Sequence, residues 1–132
     1  ERIEIIENLV LDFKIDTKID YLNSFITPGS FLKFNKILID ENIEYQDRLI
    51  INIDKFLRLF KQKKNKNYLN FAIYLINQFY FKKSNIDNID TISKERSRII
   101  NKIDQFNKLN LNQSNLITEL EHSLQWVKII FI

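Results

Sequence analysis

His122 is the only histidine in the chain, and Glu119 lies three residues before it, on the same helical face. Together they could form one edge of a metal site. Zinc normally takes three or four protein ligands. The chain has no cysteine, so only carboxylates remain to complete such a set, and an ordinary surface histidine is the better reading. Asp87 and Asp90 lack the glycine and the ladder of oxygen ligands that a calcium loop supplies. Ser114 and Ser123 have no His–Asp or Cys–His context that would activate a nucleophile. Glu41 and Glu44 are paired carboxylates of a kind common on charged surfaces. A phosphate-cradling loop needs several glycines to let backbone N–H groups approach, and this chain has one. No enzyme activity, cofactor, metal or small-molecule substrate is expected of it.

The elements that carry these residues read as helices. The chain has 132 residues, 45% of them hydrophobic and 28% charged, with one glycine and one proline. That composition can build a core, and it lacks the turn residues of a β-rich fold. Isoleucine is common and favours strands by propensity, but the apolar spacing is helical nearly throughout. The fold class expected is all-α, a bundle of about six to seven helices.

Tyr68–Phe81 is the most apolar stretch. Leu69, Ala72, Ile73, Ile76 and Tyr80 share one face, and Phe71, Leu75 and Phe79 fill much of the rest. A helix apolar on all sides is buried or in a membrane. This one is too short to cross a bilayer and is broken by Asn70, Asn77 and Gln78, so it is expected to be the central helix of a bundle.

Around it, Arg2–Phe13 places Ile3, Ile6, Val10 and Phe13 on one face. Asp16 or Thr17 can cap a short helix carrying Ile19, Leu22 and Ile26. Thr27-Pro28-Gly29-Ser30 holds the only proline and glycine and reads as a hinge, with Ser30 capping a helix that buries Phe31, Phe34 and Leu38. Asp40-Glu41-Asn42 is a turn. Ile43–Gln62 is a long helix with Leu49, Ile53, Phe56 and Phe60 as its stripe. Lys61–Asn67 is a basic polar loop. Lys82 and Lys83 suit a helix C-terminus. Thr91 starts a helix with Ile92, Ile99, Ile103 and Phe106 inward, and Leu116, Leu120, Leu124 and Val127 line the last one.

The net charge is +3, well short of the dense basic stripe that announces nucleic acid. Lys61, Lys63, Lys64, Arg96 and Arg98 form a candidate basic contact patch. A solvated face balanced by Glu95 and Asp104 is the alternative. The tail Trp126–Ile132 either folds back or exposes an apolar partner surface. Leu109, Leu111, Trp126 and Phe131 are the interface candidates. With no methionine anywhere, the chain is expected to be a fragment of a longer parent. Without cysteines, and with a start unlike a signal peptide, a cytoplasmic location is expected.

Two segments resemble a known family. Thr27-Pro28-Gly29-Ser30-Phe31-Leu32-Lys33-Phe34 is similar to the Ser-Pro-Gly-Arg-Ala-Leu-Arg-Leu type of segment in the delta-prime subunit of the bacterial DNA polymerase III clamp loader. Pro28, Gly29, Leu32 and the basic Lys33 agree; Thr27 replaces serine, and Phe31 replaces a small residue. Near the end, Asn110-Leu111-Asn112 followed by Asn115-Leu116-Ile117-Thr118-Glu119-Leu120 resembles that family's Asn-Leu-Asp or Ile-Asn-Arg segment at the end of the penultimate helix and its final Leu-Leu-Ile-Thr-Asp-Leu-Leu helix. The likeness spans about residues 20–127, and the delta and tau/gamma subunits have similar collars.

The resemblance implies that residues 1–28 are a remnant of AAA+ lid helices and 29–132 a helical collar domain. It implies assembly with tau/gamma and delta subunits to load the sliding clamp, with DNA contact by this fragment weak or absent and no membrane partner. A stand-alone helical interaction domain and a nucleic-acid-binding helical domain remain the alternatives.

Overall fold

The computed structural model describes residues 1–22, 24–43, 49–83, 89–109 and 112–124, and every regular element among them is an α-helix. There are six: α1 (Arg2–Phe13), α2 (Pro28–Asp40), α3 (Leu49–Lys63), α4 (Lys66–Lys83), α5 (Ile89–Leu109) and α6 (Gln113–Leu124). None of these is long and apolar enough to cross a membrane. The chain divides into two compact units, residues 1–47 and 48–132. The boundary therefore lies beyond Pro28 and Gly29, which belong to the interior of the first unit's sequence.

In the first unit, α1 packs on α2. Ile6 is fully buried, but Phe13, expected on the same face, is exposed. Lys14 ends α1 in the left-handed conformation, and its N–H bonds to the Val10 carbonyl. Phe13 is the last helical residue, and the backbone turns away directly after it.

Among the described residues, the short helix expected after Thr17 is absent. Residues 15–22 and 24–27 run as non-helical chain, with Ile19 and Ile26 buried and Leu22 exposed. Side chains from both helices hold this strap. The buried Asn35 side chain accepts from Lys18 N–H at 2.7 Å and donates to the Asp16 carbonyl at 2.9 Å. Arg2 donates to the carbonyls of Tyr21 (2.8 Å) and Ile26 (3.1 Å). Asp20 accepts from Leu22 N–H, and Ser24 donates to the Asp20 carbonyl. These bonds satisfy backbone groups that a helix would otherwise have paired.

The expected hinge is a helix start. Thr27 is the N-cap, its hydroxyl accepting from Ser30 N–H at 3.2 Å, and Pro28 occupies the first helical position. There the missing N–H costs nothing. Ser30 is thus the donor to the cap and not the cap itself. Gly29 keeps φ < 0 and has open space where a Cβ would stand, so no special backbone conformation requires it. Asn42, in the left-handed region, closes α2, as Ile43 N–H reaches the Leu38 carbonyl.

In the second unit α4 packs on α3 and α5, and α6 packs on α3 and α5. Each helix thus meets its sequence neighbours, and α6 closes on α3, a four-membered bundle. The expected basic loop at 61–67 is only Lys64-Asn65. The flanking residues continue α3 and start α4, and such a short link makes the two helices antiparallel. In α3 the buried face is Asn52, Ile53, Phe56 and Leu57, with Leu49 and Phe60 half-buried.

Helix α4 buries Tyr68, Leu69, Phe71, Ala72, Leu75, Ile76, Phe79 and Tyr80. Two helical neighbours explain its wide apolar surface. The Phe71 ring stacks on Phe56, centroids 4.3 Å apart. Ile92, Ile99, Ile103 and Phe106 of α5 are all buried. That helix starts at Ile89, so Thr91 lies inside its first turn. Asn112 receives Ser114 N–H at 2.8 Å and Asn115 N–H at 3.3 Å before α6, and Leu116 and Leu120 are buried. Val127 lies outside the described residues.

Candidate interaction surface

Helix α2 carries an apolar stripe and a second, mixed face. Phe31, Phe34, Ile37 and Leu38 face inward. Leu32, Lys36 and Ile39 follow i, i+4, i+7 on another side. Because Lys14 turns the chain at the end of α1, Ile15 and Asp16 run beside that second face. The result is an open groove of about 510 Å³ lined by Phe13, Lys14, Ile15, Asp16, Leu32, Asn35, Lys36 and Ile39. Phe13 is 71% exposed, Ile39 43% and Leu32 38%.

Exposure of this kind is concentrated in the first unit. Of the large apolar side chains exposed among the described residues, Ile5, Leu11, Phe13, Leu22, Phe25, Leu32 and Ile39 belong to residues 1–47. Ile51, Phe81, Ile89 and Leu109 are spread over the longer second unit. The groove offers apolar burial with two lysines and one carboxylate beside it. Asp16, the one carboxylate lining it, is paired with Lys18 at 3.1 Å.

Sequence reasoning singled out other interface residues. Leu109 is exposed at the end of α5. Leu111, Trp126 and Phe131 lie outside the described residues. The groove was missed because its residues come from the end of one helix, a turn and the second face of another. The available signal was Leu32 and Ile39, seven apart and outside the stripe of Phe31, Phe34 and Leu38.

The five candidate basic residues do not form one patch. Lys61, Lys63 and Lys64 lie at the α3–α4 turn. Arg96 instead donates to Asn77 Oδ1 at 2.7 Å, eleven residues along α4 from Lys66, or roughly 16 Å at 1.5 Å per residue. Arg98 bonds to Ser123 Oγ at 2.9 Å and lies 3.6 Å from Glu119. Glu119 also pairs with Lys102 at 3.0 Å, so this carboxylate ties α6 to α5. His122, its neighbour on the helix, is exposed. Among the described residues no group of three or more His, Asp or Glu side chains could hold a metal ion. Asp87 and Glu44 fall outside them; Asp90 sits in the first turn of α5.

A partly buried polar cluster ties α4 to α5. Glu95 of α5 accepts from Tyr80 OH at 3.0 Å and pairs with Lys83 Nζ at 3.3 Å. Lys83 was expected at the helix C-terminus; it is there, with its side chain only 8% exposed. Burial, with the Glu95 carboxylate beside it and accepting a hydrogen bond from its hydroxyl, raises the Tyr80 phenol well above its ordinary value of 10.0, against a smaller opposite effect of Arg98. A raised tyrosine pKa favours the folded state fully below the unfolded value near 10. That contribution is lost as pH climbs from there towards the folded value. The urea midpoint should therefore fall more steeply above pH 10 in the natural chain than in Tyr80→Phe. Parallel curves would remove Tyr80 as the cause.

In comparisons with protein families, curated proteins and solved structures, nothing matches the chain.

Proposed function

We propose that this chain is a non-catalytic helical assembly domain, acting as a delta-prime-like collar part of a DNA polymerase III clamp loader. In that role it joins other loader subunits, tau/gamma and delta, into the oligomer that loads the sliding clamp. The observation that carries an assembly role is the open apolar groove of the first unit. Phe13, Leu32 and Ile39 stand exposed around one concavity, and clustered exposed apolar surface is what a partner covers. The clamp-loader reading adds the resemblance of two segments. Leu32, one of the matching residues, lines the groove. Asn112, at the second match, caps the helix that follows.

Native mass spectrometry of the chain mixed with tau/gamma and delta collar fragments from the same source tests this. A stoichiometric hetero-oligomer, lost in Leu32→Asp/Ile39→Asp, is the expected result. A chain that stays alone at micromolar concentration beside folded partners overturns the clamp-loader reading. Groove-dependent capture of an unrelated protein would instead favour a stand-alone interaction domain.

A further inference from the structure

The two units differ sharply in charge. Residues 1–47 hold five Lys and Arg against ten Asp and Glu, a net of −5. Residues 48–132 hold fifteen against seven, a net of +8. The mild overall charge of +3 hides this division. Between Asp54 and Asp87 there is no acidic residue at all, while eight Lys and Arg occur.

Four of those eight, Lys61, Lys63, Lys64 and Lys66, gather at the α3–α4 turn, and all four are exposed. The end of α5 meets them there. Lys61 Nζ lies 5.0 Å from the centre of the Phe106 ring, and Lys63 Nζ lies 5.8 Å from that of Tyr68. Lys108 follows one half-turn beyond Phe106. It pairs with Asp104 at 3.1 Å in an exposed ion pair, a weak contact that phosphate can displace. The left-handed backbone at Lys64 allows a two-residue link, so basic residues of both helices stand within a few positions of one another.

We propose that this lysine-rich end of the second unit is a binding site for the phosphate backbone of duplex nucleic acid, weak and independent of base sequence. Four ammonium groups at the turn, with Lys108 on the neighbouring end of α5, match closely spaced phosphates, and their binding releases condensed counterions. Gln62, Asn65 and Asn67 add amide donors suited to phosphate oxygens. The rings nearest the lysines, Tyr68 and Phe106, are buried. They offer no stacking platform of the kind that single-strand binders use, so duplex, with its higher charge density, is favoured. The run 61–67 also carries no apolar residue to insert into a bilayer, which argues against a lipid surface. Arg96 and Arg98 are not part of the site. The inference stands apart from the groove and from the assembly role.

Fluorescence anisotropy of the 132-residue chain with a mixed-sequence 20-base-pair duplex tests it. The dissociation constant should lie at roughly 10–100 μM near physiological salt, with a log–log salt slope of about −4. A single strand should bind more weakly with a shallower slope. Lys63→Gln/Lys64→Gln/Lys66→Gln should lose at least about tenfold at low salt, and its slope should shrink by about 3. Lys64→Gln/Lys66→Gln, two exposed changes that leave the ring contacts in place, should shrink it by about 2. Arg96→Gln/Arg98→Gln should leave the slope unchanged. No salt-dependent binding, unchanged slopes in both lysine variants, or binding to anionic vesicles but not to duplex would each overturn the proposal.

Discussion

Phe71→Ala is expected to destabilise the second unit by about 3–5 kcal/mol, the range for removing a fully buried phenylalanine. Phe71 is fully buried and stacks on Phe56, itself fully buried. That contact joins α3 to α4, the most extensively packed pair of the bundle. Alanine forfeits the transfer energy of the ring and leaves Phe56 facing a void that rigid helices cannot close. Small domains have only about 5–15 kcal/mol of total stability, so the loss is a large fraction of it. Urea titration followed by far-UV circular dichroism should show a much lower midpoint with an unchanged slope. Phe71→Leu, which restores most of the volume, should recover more than half of the difference. A loss under about 1 kcal/mol in the alanine variant would show that the stacked pair does not hold α3 on α4.

Glu95→Ala is expected to cost about 2–3 kcal/mol, at or below the low end for breaking a buried ion pair, because the Glu95 side chain is itself 23% exposed. Its carboxylate serves two groups of α4, the Tyr80 hydroxyl and the Lys83 ammonium. Removing it leaves a nearly buried ammonium without this counter-charge and the hydroxyl without this acceptor. The loss stays at the low end because the Phe79 and Tyr80 rings lie 5.9 Å from Lys83 Nζ and attract the cation. The last turn of α4 also favours a positive charge. Glu95→Gln keeps an acceptor for Tyr80 and should fall between. Replacing the pair together, Lys83→Met/Glu95→Leu, should restore most of the stability, since the cost lies in stranding one partner. Should the double variant be as unstable as Glu95→Ala, the loss would come from packing and not from charge.

Much of the helical architecture was readable from spacing. Ile92, Ile99, Ile103 and Phe106 were expected inward and are buried, as are Leu116 and Leu120. The apolar all-round stretch at 68–81 became the most buried helix. Boundaries were less legible. Thr91 is a plausible cap locally, yet α5 begins two residues earlier. The basic run 61–67 looks like a loop, yet lysines lose little in a helix, and both helices extend into it.

What the sequence by itself determined is the helix class and the inward stripes of α5 and α6. These depend on local periodicity and composition, which are complete within a few turns of chain. The tertiary structure alone decided the strap at residues 15–22 and 24–27, the groove beside it and the burial of Lys83. Ile19, Leu22 and Ile26 carry a helical pattern, but Asn35 and Arg2 supply backbone partners from 17 to 24 residues away. Once those groups are paired, the chain has no need of its own helical bonds. Lys83 likewise reads as a surface cation until α5 brings Glu95 within 3.3 Å. In each case the deciding interaction joins residues distant in sequence, and local spacing carries no signal of it.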